Sequence, residues 1–131
     1  MRRRHAIAAL GGVGLAAASF AWAQQARKRA RIGALTQVDT FRSPLWKPFF
    51  AELEKRGWRE GREYSFVVKE GRGDPARYLE LSRELVREGV DMVLAVSTAP
   101  ALAFRQASDR IPVVAWCGYP VEAGLVASLS R

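Results

Sequence analysis

The stretch Val90 to Ala107, VDMVLAVSTAPALAFRQA, decides the fold. An apolar β-rich run, Val90 to Val96, passes through Ser97 into a segment of helical character that ends near Ala107. Val93, Leu94, Ala95 and Val96 show no polar alternation, which fits a strand buried on both faces of a parallel sheet. Ser97 stands where a helix N-cap is expected, and Pro100 suits a first helical turn.

The same strand-then-helix unit recurs on either side. Upstream, Arg31 to Leu35 reads as a strand. Ser43 and Pro44 follow as cap and first position of a helix to about Arg56, stopped by Gly57. Leu45, Phe49, Leu53 and either Trp46 or Phe50 form its apolar stripe. A second strand, Tyr64 to Lys69, leads to the Asp74-Pro75 cap and a helix over Ala76 to Glu88. Its stripe is Leu79, Leu81, Leu85 and Val86. Glu80 and Glu84 alternate with Arg77 and Arg83 on the opposite, solvated face. Downstream, Ile111 to Cys117 reads as a fourth strand, and Val113, Val114 and Ala115 suggest burial on both sides. Val121 to Leu129 is apolar enough to begin a fourth helix. Strands alternating with helices of ten or more residues predict an α/β fold, a doubly wound parallel sheet. A fourth helix begun without a fifth strand after it suggests part of a larger domain.

Residues 1–23 stand apart from this pattern. Arg2, Arg3 and Arg4 precede an uncharged run from Ala6 to Phe20, and Ala21-Trp22-Ala23 supplies a small-x-small cleavage pattern. The run spans about 22 Å as a helix, short of a hydrocarbon core of about 30 Å. A cleaved export signal is therefore expected. A retained membrane anchor is the other reading, kept open by Arg27, Lys28, Arg29 and Arg31 just beyond the run. The opening arginines also leave general and twin-arginine export undecided. Residues 24–30 read as a basic linker, and 31–131 as the folded part.

Charge and composition then narrow the function. The 21 basic and 13 acidic residues give 21 − 13 = +8, but three of the basic residues lie in the signal, leaving 18 − 13 = +5. Much of the remainder sits in the linker, so nucleic acid is not the expected partner. His5, the only histidine, lies in the signal, and Cys117 is the only cysteine. Cleavage removes serine–histidine and cysteine–histidine catalysis and imidazole ligation of a metal. No metal, cofactor or enzymatic activity is expected. Gly71-Arg72-Gly73-Asp74-Pro75-Ala76 formally matches a dinucleotide fingerprint. It follows the second strand, however, Pro75 lacks an amide, and Asp74 sets a negative charge where phosphate would lie. A flexible turn is the better reading.

Ligands of open parallel sheets bind at the carboxyl ends of the strands, near helix N-termini. Four loops qualify: Thr36 to Ser43, Glu70 to Asp74, Ser97 to Pro100 and Gly118 to Pro120. At the third, the amides of Thr98 and Ala99, two hydroxyls and the positive helix end would suit a small carboxylate. A plain Ser97 N-cap is the competing reading. In the first, Thr36, Gln37 and Asp39 offer hydrogen bonds and Phe41 an apolar cover. In the fourth, Trp116 and Tyr119 are placed to stack on a ligand, with burial in the core the alternative for Trp116.

Several segments carry a closer resemblance. The signal ends in Ala-Trp-Ala-Gln-Gln, and Arg31-Ile32-Gly33-Ala34-Leu35 follows. Phe49-Phe50-Ala51-Glu52-Leu53 runs to Gly57-Trp58-Arg59-Glu60-Gly61. Leu85-Val86-Arg87 precedes Asp91-Met92-Val93-Leu94-Ala95 and Ser97-Thr98-Ala99-Pro100-Ala101. Ile111-Pro112-Val113-Val114 and Gly124-Leu125-Val126-Ala127-Ser128-Leu129 complete the set. Together these resemble the N-terminal part of ABC-transporter substrate-binding proteins of the tryptophan/tyrosine-binding type. The resemblance implies a flavodoxin-like lobe of the type I periplasmic binding fold, truncated before its second lobe and hinge. It also implies export to the periplasm, a small-molecule ligand, a permease as partner, and membrane contact only through the signal or the permease. Ser97, Thr98 and Ala99 would receive a ligand carboxylate, with Thr36, Gln37 and Tyr119 bordering the cleft. One departure is Tyr119, which stands before Pro-Val where an acidic residue is common. A fragment that binds nothing, and a small α/β enzyme or nucleotide-binding protein, are the alternative expectations.

Overall fold

Four parallel strands form one sheet in the order β2-β1-β3-β4. The computed structural model describes residues 28–38 and 42–130, so the expected signal, most of the linker, Asp39 and Phe41 lie outside the described residues. The strands are β1 (Ala30–Thr36), β2 (Tyr64–Glu70), β3 (Met92–Val96) and β4 (Val113–Trp116). The helices are α1 (Lys47–Lys55), α2 (Pro75–Arg87) and α3 (Thr98–Ala107). The α/β class, the parallel pairing and the bounds of α3 match the sequence reading. β3 is shorter than expected at its start, where Val90 and Asp91 lie outside it, and β4 at both ends, where Ile111, Pro112 and Cys117 do.

The winding follows from strand order. The chain steps one way from β1 to β2, then back across β1 to β3 and on to β4. Right-handed crossovers in opposite directions put their helices on opposite faces. Leu35 and Val93 accordingly pack with Tyr78, Leu81 and Leu85 of α2 and Phe104 of α3. Ala34 and Leu94 pack with Trp46, Phe50 and Phe66 on the other face. Alternation along β1 and β3 sorts neighbouring residues between these two cores.

Local chemistry shifts two of the expected faces. Ser43 makes no side-chain cap, and Pro44–Trp46 is a 3-10 turn before α1 begins at Lys47. Three residues per turn instead of 3.6 rotates the entry to the helix. The buried members are therefore Trp46 and the half-buried Phe50, while Leu45 and Phe49 are exposed. On α2, Arg77 pairs with Glu80 on the solvated face as expected. Glu84 does not stay there: with Glu88 it holds Lys69 of β2, at 3.1 and 2.7 Å. The bond to Glu88, then that to Glu84, raises the Lys69 pKa above 10.5.

The turn Gly71–Asp74 is pinned rather than flexible. The amides of Gly71 and Arg72 donate to the carbonyls of Thr36 and Gln37, and Asp74 N donates to Gly71 O. Asp74 Oδ1 accepts from the Ala76 amide at 2.9 Å, capping α2. A Cβ at Gly71 would lie 2.2 Å from the Tyr78 ring, so only glycine lets that ring pack.

Two expectations fail near the C-terminal end. Val121 to Leu129 forms turns, not a helix. The Arg105 guanidinium takes the carbonyls of Gly124 and Leu125 at 3.0 and 2.8 Å, and Gly124 sits at φ +70°. Those interactions divert the acceptors a helix would use. β4 is not buried on both sides either: Val114 is 52 % and Trp116 57 % exposed. It is the edge strand, and α1 covers the opposite half of that face.

Candidate functional site

The strand order reverses between β1 and β3, the switch point at which open α/β sheets form their crevice. Leu35 of β1 is in register with Ala95 of β3. Thr36 and Val96 are the last residues of these two neighbouring strands. The first and third loops, 60 residues apart in sequence, thus leave the same carboxyl edge from neighbouring strands. Trp116 lies opposite Val96 on the other side of β3.

Ser97 has an unusual backbone. Its φ of +103° and ψ of 162° are rare for a residue with a Cβ, and such strain is often kept where it positions a site. Its amide donates to the Trp116 carbonyl at 2.9 Å, tying the turn to β4. Its hydroxyl makes no cap bond, so the plain N-cap reading does not hold and the exposed hydroxyl remains available. The next two amides, Thr98 and Ala99, are first-turn donors that helix geometry leaves without an internal acceptor. Pro100, buried behind them, locks the start of α3.

The remaining expected residues divide into two kinds. Thr36 is only 1 % exposed, and its hydroxyl donates to the Val38 carbonyl at 2.9 Å. It shapes the loop instead of facing solvent. Gln37 is exposed at the rim, as is Tyr119, at 72 %. Trp116 is not a core residue: its ring meets that of Trp46 edge-on at 5.3 Å and leaves its other side to solvent. Trp46 continues to Phe49 at 5.4 Å, giving an aromatic row beside the Ser97 turn. The sequence favours a core Trp116 over a stacking one because an apolar run does not tell an edge strand from a central one.

Arg72 is not among the expected site residues, although its loop is one of the four candidates and its motif reads as a turn. It sits at φ +53° at the carboxyl end of β2, exposed, with its amide bonded to the Gln37 carbonyl. It lines a hollow of about 380 Å³ with Glu70, Gly71, Asp74 and Arg77. The only hint in the sequence was an arginine between two glycines in a strand-end loop. Among the described residues no cluster of three or more His, Cys, Asp or Glu side chains is arranged to hold a metal, and no helix is long and apolar enough to cross a membrane.

No family model matches the chain. A tyrosine-binding protein of Clostridioides difficile (strain R20291) is 30 % identical over 86 residues, covering 65 % of this chain and 25 % of that protein. Three solved structures align over most of the chain. A conserved domain protein of Vibrio cholerae has a TM-score of 0.68 at 29 % identity, covering 78 % of this chain and 35 % of its own. An ABC domain in complex with L-Trp from Streptococcus pneumonia gives 0.67 at 25 % identity over 79 % of this chain and 35 % of its own. The ligand-free, open form of a substrate-binding protein with adhesive properties from Clostridium difficile gives 0.65 at 26 % over 76 % and 35 %. The chain spans a quarter of the curated relative and about a third of each solved chain. It resembles these substrate-binding proteins in fold and in sequence.

Proposed function

We propose that this chain is the first lobe of the solute-binding component of an ABC importer, exported to the periplasm, and that it captures a small carboxylate, with an aromatic amino acid the leading ligand class. In this reading residues 1–23 are the export signal, 24–30 a linker and 31–131 the lobe, with a permease as the protein partner. The observation that supports it is that the loop after β1 and the Ser97 turn after β3 leave neighbouring strands at the switch point of the sheet. A carboxylate bound there would accept from the amides of Thr98 and Ala99 and the Ser97 hydroxyl, favoured by the positive end of α3. Trp116, half exposed one strand away, offers a face for a flat side chain. The names of the relatives, which mention tyrosine and L-Trp, support that ligand class. The lobe binds and does not catalyse.

One lobe leaves its ligand open to water. Charge-assisted hydrogen bonds of about 1–3 kcal/mol each are eroded by exposure, and association costs about 4 kcal/mol or more. The expected dissociation constant is therefore millimolar, falling to micromolar or below where a second lobe closes over the ligand. Calorimetry of the chain with L-tryptophan, L-tyrosine and L-alanine tests this. Weak binding of the aromatic pair, lost in a Ser97→Ala/Thr98→Pro variant, supports the site. Binding unchanged in that variant removes it.

A further inference from the structure

A hollow of about 920 Å³ lies at the amino edge of the sheet, opposite the proposed ligand edge. It is lined by Lys28, Arg29, Arg56, Arg62 and Glu63, with Gly57, Trp58 and Gly61 supplying backbone. Its charge is thus 4 − 1 = +3, assembled from the chain before β1 and from the loop between α1 and β2. These are about 30 residues apart in sequence, so the fold and not a local charge run gathers them.

The one acid in this lining is already engaged. Glu63 Oε2 accepts from the Arg59 amide at 2.9 Å and lies 3.7 Å from Arg59 Nε. That amide bond, with the charges of Arg59 and Arg62, holds the Glu63 carboxyl below its usual pKa of 4.5. Arg56 is bound to Glu52 at 3.0 Å, and Lys28 stands 3.9 Å from Asp91, which also accepts from the Arg31 amide. Arg29 and Arg62 form no salt bridge among the described residues, although the Arg62 charge acts on Glu63. The carbonyls that end α1 are capped by the amides of Arg56, Gly57 and Trp58, so they do not compete for the two arginines. Gly57 and Gly61 sit at φ +82° and +84° with nothing within 4 Å of an added Cβ, which keeps the wall between them open.

We infer that this hollow is an anion-docking site for a phosphate-bearing group, held by Arg29 and Arg62 with Lys28 and Arg56 as flanking charges. A guanidinium pair suits the doubly bonded geometry of phosphate oxygens. Seven residues lie between Phe20, the end of the uncharged run, and Lys28, so the eight steps reach at most about 28 Å. While that run is held in a bilayer, the site is within range of acidic headgroups, whose surface attracts basic clusters. A free phosphate ester presents the same chemistry.

Two arms separate these sources. In the first, the ¹⁵N-labelled chain is titrated with inorganic pyrophosphate, and the amides of Gly57, Trp58 and Gly61 are followed. In the second, sedimentation compares phosphatidylglycerol–phosphatidylcholine vesicles with phosphatidylcholine alone, so that the phosphatidylglycerol-dependent part isolates the charge from the apolar run. The expected result is binding in at least one arm, weakened about tenfold or more in an Arg29→Gln/Arg62→Gln variant. It should also weaken between about 50 and 200 mM salt. Pyrophosphate shifts without a phosphatidylglycerol effect identify a soluble phosphate; the converse identifies a headgroup. Arg72→Gln, at the opposite edge, should leave both arms unchanged. Binding in neither arm overturns the inference. So does equal weakening by Arg72→Gln, or full binding by the double variant with an unchanged circular-dichroism spectrum.

Discussion

β3 and β4 are both wholly apolar, Met-Val-Leu-Ala-Val against Val-Val-Ala-Trp, and they lie side by side, yet they live in different surroundings. In β3 the residues Val93, Leu94 and Ala95 are all buried, sealed by α2 and α3 on one face and by Trp46 on the other. In β4 Val113 packs on one core and Trp116 meets the other only edge-on at Trp46, while Val114 and most of Trp116 face solvent. Composition reports that a run is apolar; position in the sheet decides whether anything covers it. The difference also separates two roles. β3 holds the Ser97 turn rigid, and β4 presents a ring beside it.

The largest effect expected from this contrast is on stability. Leu94→Ala should destabilise by about 2–5 kcal/mol, because it removes buried methyls from a packed site. Val114→Ala on the neighbouring strand should stay within about 0.5 kcal/mol, as exposed positions do. Chemical denaturation of the two variants measures the gap. Equal losses would mean that β4 is covered in solution and would break the comparison.

The other edge strand, β2, sharpens it. Unlike β4, β2 is clasped by α2, through Tyr78 over Gly71 and through Lys69 between Glu84 and Glu88. Gly71→Ala should therefore cost about 1–3 kcal/mol from overpacking, although it lies in a turn. The thermal midpoint reports it, and an unchanged midpoint would show that the Tyr78 ring is free to move away.

A smaller loss than at Leu94 or Gly71 is expected at Lys69. Lys69→Met keeps the stem and loses the charge, at about 1–2 kcal/mol. The folded pKa of Lys69 is raised from 10.5, chiefly by Glu88. The interaction is therefore fully present below pH 10.5 and is lost as pH rises through the folded value. The difference in midpoint between wild type and variant should be flat from about pH 7 to 9 and shrink above 10.5. A difference that grows in alkali would contradict the assignment.

Much of this organisation is legible in the residues. The Asp74-Pro75 cap, the Ser97–Ala107 junction and the unbroken run Val93 to Val96 identify their elements because each depends on local chemistry. What escapes is non-local. The exposure of Trp116 depends on its strand being last in the sheet. The absence of a helix over Val121 to Leu129 depends on Arg105, some 20 residues earlier. The phase of the α1 face depends on a 3-10 turn that Ser43-Pro44 does not distinguish from a regular start. At the candidate site the loops were legible, but the strain at Ser97 and the inward turn of Thr36 were not, since both arise where two strands meet.

The most direct test of the central claim is an ¹⁵N–¹H titration of the chain with L-tryptophan, reading the amides of Ser97, Thr98 and Ala99 and the indole of Trp116. The account predicts saturable shifts at the Thr98 and Ala99 amides and at Trp116, with one millimolar dissociation constant and no response from Gly57 to Gly61. Shifts confined to the amino edge, or none at Thr98 and Ala99 when other residues saturate, would contradict it.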